Sequence, residues 1–401
     1  MSSEWTGTAN AHTLVLLGDF MIGRLIDALL PTSIAREAPA SDPESVTQLV
    51  DHSILPKYPE LKSYGYHSPW GNSLNLLRGA DMVIANLETA LTTSERKWEH
   101  KVFNYRSHPE NVKCLMNIGM GDGERRGYVS LANNHTLDWE VEGLAETVKT
   151  LSDAGVGFAG AGRTQEEAER PASLQLGGTQ LATTPWNIDC WSFSDHPSEW
   201  KEITTFNFIE YTRHGREKLK SQILSEQSNQ RSQNDSKQRS KLKIISIHWG
   251  PNYRWRPSKE IVELAHWLVD ECDIDIIHGH SSHHIQGIEI YKGKLILYGC
   301  GDFVDDYAVD KSWRNDLSAA WRVTVAPNNE VAERGERLMV QKLEVFPNRI
   351  ERFSANLLSP GDEDHQWLQK KFRDLCDELG TKIEKELGDE GQIIVDTRSQ
   401  G

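Results

Sequence analysis

The sequence predicts a layered α/β protein, on three observations. Short apolar runs of strand length recur at residues 13–17, 82–87, 128–132, 242–247 and 274–277. Between them lie segments whose apolar residues fall at helical spacing, Val141, Leu144, Val148 and Leu151 in one and Ile261, Leu264, Leu268 and Val269 in another. Each strand run also ends in a turn that carries side chains with lone pairs: Asp19, Glu88, Asn134 with His135, His248, and His280 with His283. In layered α/β proteins such ends share one rim of a sheet, where sites form.

Taken in order, residues 1–11 read as a loose tail. The Pro-, Ser- and Ala-rich interval 31–43 reads as a long loop, and 109–116 as a helix with Pro109 in its first turn. The amphipathic helix 140–154 ends at Gly155, a suitable C-cap. A short strand at 156–158 precedes Gly160-Ala161-Gly162, which lacks the context of a phosphate loop and is a turn. Residues 174–183, split by Gly177-Gly178, read as a hairpin. A helix over 215–223 runs into the polar, low-complexity stretch 226–241, expected as a disordered insertion. Ser258 caps a helix over 258–272, and 287–298 is a hairpin turning at Lys292-Gly293. Strands at 318–325 and 338–346 and a helix over 364–387 follow. The expected organisation is one domain over 12–325, with 326–401 packed onto it.

Composition narrows the function. A 38% hydrophobic content with 13 Trp supports a substantial core. A net charge of -15 without a basic patch argues against nucleic acid as a partner. Five scattered Cys form no C-x-x-C pair, which suits a reducing compartment. The first residues lack a signal-peptide pattern, and no apolar run approaches the ~20 residues of a membrane helix. The expectation is a soluble, cytoplasmic protein without a membrane segment.

The densest chemistry lies in residues 274–286, IDIIHGHSSHHIQ, where His278, His280, His283 and His284 crowd around Gly279. Each neutral ring needs a donor and an acceptor, so four cannot all pack into a core. Neutral imidazole is also the commonest metal ligand. Taken singly, Asp19 has an ordinary reading as a turn residue, Glu88 as a helix-start carboxylate and His248 as a core histidine. Those readings do not explain why all fall at strand ends. Two carboxylates, a carboxamide and three imidazoles suit Mn, Fe or Zn better than Ca or Mg, and no thiolate is offered. Six ligands match two ions ~3.5–4 Å apart sharing a carboxylate, the arrangement used for displacement at phosphorus.

Six segments carry a family resemblance: GDFMIGR (18–24), NLETAL (86–91), ANNHTLD (132–138), HWGPNY (248–253), GHSSHHIQ (279–286) and IYKGKLILYGCGDFV (290–304). Over about residues 13–325 the sequence resembles the poly-γ-glutamate capsule biosynthesis protein CapA family, a branch of the calcineurin-like metallophosphoesterase superfamily. The resemblance implies a four-layer α/β/β/α sandwich with a dinuclear metal site at the sheet edges. It makes Asp19, Glu88, Asn134, His248, His280 and His283 metal ligands, with Glu88 as the bridging acid and His135 as the proton donor to a leaving group. Asp138 would orient His135. Met21 stands where the superfamily has a further His, and Asp302 where the family usually has Asn. Two residues rather than one separate His280 from His283, as in the CapA branch. Trp139, Trp249, Tyr253 and Trp255 are candidates to wall the cleft, and Arg254 and Arg256 to bind an anionic group. The function expected is a metal-dependent hydrolase acting on an anionic phosphoester or γ-glutamyl-type substrate. The alternative is a polyglutamate-handling or assembly protein whose metal site does not hydrolyse.

Overall fold

Side chains alternate along a strand, so a strand buried on both faces feeds two cores at once. That rule organises the computed structural model, which describes residues 11–37, 46–121, 126–177, 185–232, 240–327 and 337–397. The first strands are β1 (His12–Phe20), β2 (Met82–Leu87), β3 (Arg126–Ser130) and β4 (Gly157–Ala159), paired in parallel. Then come β5 (Ala172–Leu176), β6 (Trp186–Ser194), β7 (Leu242–His248), β8 (Ile276–His280), β9 (Ile288–Tyr291) and β10 (Lys294–Leu297). These six form one sheet in the order β9-β10-β8-β7-β6-β5. The chain returns to the first sheet with β11 (Asp302–Val304), β12 (Leu317–Pro327), β13 (Leu338–Glu351), β14 (Ser354–Leu357) and β15 (Ile393–Val395). The first sheet runs β14-β13-β12-β1-β2-β3-β4, with β11 also paired to β1 and β15 to β13. The longer helices are α1 (Arg24–Leu29), α2 (Glu140–Asp153), α3 (Arg213–Ser232), α4 (Lys259–Cys272) and α5 (Glu363–Glu378). The protein is thus mixed α/β with two large sheets. No described helix is long and apolar enough to cross a membrane.

Three apolar cores follow from the alternation. Leu14 and Leu16 of β1, Met82 and Ile84 of β2, and Tyr128 of β3 join Ile188, Ile244, Ile276 and Leu297 of the other sheet in a shared core. Leu368 and Phe372 of α5 close that core. The odd-numbered neighbours Val15, Leu17, Val83 and Val129 pack instead with Ile26 of α1 and Leu144, Val148 and Leu151 of α2. Ile245, Ile247 and Ile277 pack with Leu219 and Ile223 of α3 and Leu264 and Leu268 of α4.

Toward the carboxyl ends of the parallel strands the shared core turns polar. The positions of matching parity are Asn86 on β2, Ser130 on β3, Ser192 on β6, Ser246 and His248 on β7, and His278 and His280 on β8, all buried. Hydrogen bonds replace apolar contact across the gap, Ser130 Oγ lying 2.6 Å from Ser192 Oγ and His278 Nε2 2.7 Å from Leu17 O.

Plain alternation would turn Asp19 away from this gap, with Leu14 and Leu16 facing it. Leu16 pairs with Ile84 but Asp19 pairs with Asn86, so β1 carries one extra residue. This β-bulge brings Asp19 level with Asn86, which shares the parity of the core. Gly18 sits in the bulge, where a Cβ atom would lie 1.6 Å from Gly301 O.

Several elements differ from expectation. The return arm of the 174–183 hairpin is β6, since β5 pairs antiparallel with Trp186–Ser194, and 178–184 lie outside the described residues. The helix expected over 215–223 extends from Arg213 to Ser232, through the first half of the polar stretch. Its Lys, Glu, Gln and Arg are good helix formers. Residues 233–239 and the tail 1–10 lie outside the description. The last helix stops at Glu378, not 387, and Gly380 adopts φ +76 just beyond it.

Gly18→Ala should cost about 3 kcal/mol or more, because the obstructing atom is backbone and cannot swing away. Urea denaturation of the variant against wild type measures this, and an unchanged midpoint would refute the close crossing.

Candidate metal centre

Five of the six predicted strand-end ligands, all but Asn134, fall into two close groups. One ligand atom each from Asp19, His248 and His280 lie within 4.8 Å of one another, and so do those of Asp19, Glu88 and His283. All five residues are buried. The carboxylate common to both groups is Asp19, whereas the resemblance gave the bridging place to Glu88. Asp19 comes from the β1 bulge, Glu88 follows β2, and His248 and His280 end β7 and β8 at paired register positions. His283 sits at φ +58, a left-handed turn position.

The buried atoms at this rim lack partners among the described residues. They are Asp19 Oδ2, both Glu88 oxygens, Asn134 Oδ1, His280 Nε2 and Asp302 Oδ2. Buried polar atoms are nearly always satisfied, so a cluster of orphans requires a reason. Burial, and then the charge of Asp19, push Glu88 and Asp302 well above the usual carboxylate range. Burial, and then neighbouring imidazoles, push His248 and His280 well below theirs. The rings are therefore neutral, the form that binds metal. Carboxylates short of positive charge beside neutral imidazoles fit a divalent cation.

An amide relay orients Asp19. Asn133 Nδ2 donates to Asn86 Oδ1 at 3.0 Å, and Asn86 Nδ2 donates to Asp19 Oδ1 at 2.7 Å. That leaves Oδ2 as the oxygen without a partner. His283 Nδ1 lies 2.8 Å from Asp302 Oδ1, and His248 Nδ1 2.8 Å from His280 Nδ1.

His135 stands at the Glu88 side, its Nε2 3.8 Å from Glu88 Oε1. Its Nδ1 lies 2.6 Å from Asp138 Oδ2. Asp138 also accepts from Tyr105 N at 2.6 Å and from Lys101 Nζ. The Tyr105 ring stacks on His135 with centroids 4.0 Å apart. Burial outweighs Asp138 and pushes His135 down to about 4.

Other candidates fall elsewhere. Met21 is fully buried and its Sδ accepts from Gly23 N at 3.3 Å. Trp249 belongs to a packing core, with Nε1 donating to Tyr298 O at 2.8 Å. Trp139 is buried beneath the Arg106 guanidinium at 3.8 Å. Neither walls a cleft. Arg256 is taken by Glu378 at 2.7 Å. Tyr253 and Trp255 do flank the rim, their rings 6.0 Å from His283 and 4.3 Å from His284. Sequence reasoning missed the Lys101–Tyr105 contribution, which has no periodic signal.

Two sheets that present buried carboxylates and imidazoles along one common rim define an α/β protein with a candidate metal centre. The family model described as bacterial capsule synthesis protein PGA_cap matches residues 13–307, and the chain belongs to that family. It is 30% identical over 393 residues to a probable polyglutamine synthesis accessory protein of Mycobacterium tuberculosis, covering 94% of each chain. It is 25% identical over 247 residues to the capsule biosynthesis protein CapA of Bacillus anthracis, covering 61% of this chain and 54% of that one. The solved structure of PhoD aligns with TM-score 0.28 and 7% identity over 88% of this chain and 72% of that one, too slight a likeness to bear on the fold.

Asp138→Asn should destabilise the protein by about 3 kcal/mol, since it strips a buried charge from Lys101 and sets an amide N–H against existing donors. Thermal and urea unfolding check this; a loss below about 1 kcal/mol would contradict the buried ion pair.

Proposed function

We propose that this protein is a metal-dependent hydrolase that acts on an anionic phosphoester or γ-glutamyl-type substrate. Its place would be in making or processing a glutamyl polymer, as the names of its relatives suggest. The observation that carries the reading is the meeting of Asp19, His248 and His280, and of Asp19, Glu88 and His283, within 4.8 Å in a buried rim. The three cores, one shared by the sheets and one on each far side, support the four-layer α/β/β/α arrangement of the metallophosphoesterases. Five free, buried cysteines support a cytoplasmic setting.

Asp19, Glu88, His248, His280 and His283, with Asn134, would hold two divalent ions of the Mn, Fe or Zn type. Such ions polarise a substrate oxygen and lower the pKa of bound water toward ~7. The chain's own part is to place the reacting group and handle protons. Asp138 takes the Nδ1 hydrogen of His135, which leaves Nε2 beside Glu88. Burial pushes His135 down to about 4, and the negative charge of an anionic substrate beside it would raise that value and favour a second proton. It then donates that proton to the leaving group, a contribution of ~10²–10⁴ in rate.

One observation favours a second reading, in which the site binds polyglutamate without cleaving it. Met21, buried and apolar, occupies the place of a superfamily ligand.

Elemental analysis of the purified protein should find about two divalent ions per chain, and Asp19→Asn should lose both because it serves both groups. Added Mn²⁺ should raise the melting temperature of wild type and not of Asp19→Asn. A metal-free wild type with no Mn²⁺ response would sink the proposal. His135→Ala should keep its metal and lose ~10²–10⁴ of turnover on a panel of phosphoesters and γ-glutamyl amides. Under the binding reading, γ-glutamate oligomers are retained by the protein and recovered at their original length.

A further inference from the structure

A second imidazole stands at the rim in the same arrangement as His135, on the opposite sheet. His196 follows β6, whose last residue Ser194 pairs in register with His248. Its Nδ1 is bonded to Asp195 Oδ1. Asp195 is itself fixed, its Oδ2 accepting from Tyr211 OH at 2.7 Å and Gly250 N at 2.9 Å, and its backbone N–H donating to His248 O at 3.1 Å. A carboxylate that already takes two donors acts as an acceptor toward the ring, so Nδ1 carries the hydrogen and Nε2 the lone pair. The His196 ring lies 4.8 Å from that of His248, between centroids, and its side chain is 29% exposed.

The two dyads are divided between the two ligand groups. His135–Asp138 stands beside Glu88, of the Asp19–Glu88–His283 group, and His196–Asp195 beside His248, of the Asp19–His248–His280 group. Holding an imidazole by a carboxylate that is only 13% exposed costs desolvation and side-chain freedom, and apolar packing at that position would need neither.

We propose that His196 is a second residue of the site that touches the ligand, its Nε2 accepting the hydrogen of a hydroxyl, amide or water at the His248 side. Within the hydrolytic reading, on which this half of the inference rests, that hydrogen belongs to the attacking water. The water O–H bond breaks as its oxygen bonds to the phosphorus or carbonyl carbon, and the proton passes to His196 Nε2. The bond to the leaving group breaks on the far side, where His135 supplies the compensating proton. Each proton is then accounted for by one dyad.

The test has two arms. In the kinetic arm, His196→Ala should keep the metal content of wild type and a KM within about twofold, lose ~10² in kcat, and recover part of it with added imidazole. Asp195→Asn should lose kcat comparably, because it frees the ring to take the other tautomer. A kcat for His196→Ala near that of wild type overturns the proposal. The labelling arm needs no turnover: diethylpyrocarbonate modification of wild type is mapped by mass spectrometry, with and without saturating orthovanadate or γ-glutamate oligomers. Shielding of His196 by either probe supports the contact, and equal labelling in the presence of both overturns it. Should wild type hydrolyse nothing, the hydrolytic reading fails by itself, and the labelling arm still decides whether His196 meets the ligand.

Discussion

Three carboxylates that cannot all be charged in the absence of a counter-ion set the terms for this molecule. Asp19, Glu88 and Asp302 are 0–1% exposed and sit close enough that Asp19 raises the pKa of both others. Removing such groups from water costs several kcal/mol each unless they are paired. The nearby rings of His248 and His280 give no relief, since the same burial keeps them neutral. The folded rim is therefore short of positive charge by construction. The bulge at Gly18, the Asn133–Asn86 relay and the Asp302–His283 contact fix the positions of these carboxylates.

The two sheets divide the polar side chains of the rim by chemistry. The oxygen donors Asp19, Glu88 and Asn134, with His135, come from the strands of the first sheet, and the imidazoles His248, His280 and His283 from the second. Neither sheet alone forms either of the two groups that meet within 4.8 Å. What joins them is the shared core, in which fully buried side chains such as Leu14, Ile84, Ile244 and Ile276 are worth about 1.5–3 kcal/mol each. Association of two apolar faces thus supplies the energy to bring mutually unfavourable polar ends together. The site is a consequence of sheet packing rather than its cause.

Much of this was legible from residues alone. An apolar run followed by Asp, Glu, Asn or His reads directly as a strand and its polar tip, which is why the meeting of Asp19, Glu88, His248 and His280 could be expected in advance. The bulge could not be read, because nothing in Leu16-Leu17-Gly18-Asp19 shows that one residue is extra. The strand β6 was obscured because its inward positions Ser192 and Ser194 face a polar part of the core, and alternation there looks like a turn. Trp249 was misplaced for the opposite reason: an aromatic beside a site residue on a strand end points to the other face, into a packing core. Tyr105 and Lys101 reach His135 and Asp138 from an irregular segment, where only tertiary contact reveals a role.

The partnership of β1 with β12 reaches beyond the site. The family match ends at residue 307, yet β12, starting at Leu317, pairs antiparallel with β1 from His12 to Leu16. Trp321, Val323, Leu343 and Phe372, all later still, fill the core common to both sheets. A gene cut at the conserved boundary would sever a central strand from its neighbour and bare a hydrophobic edge, an invitation to self-association. The recognisable part of the chain thus stops short of strands that complete the shared core, and the described residues from 317 to 397 belong to the scaffold rather than to an appendage.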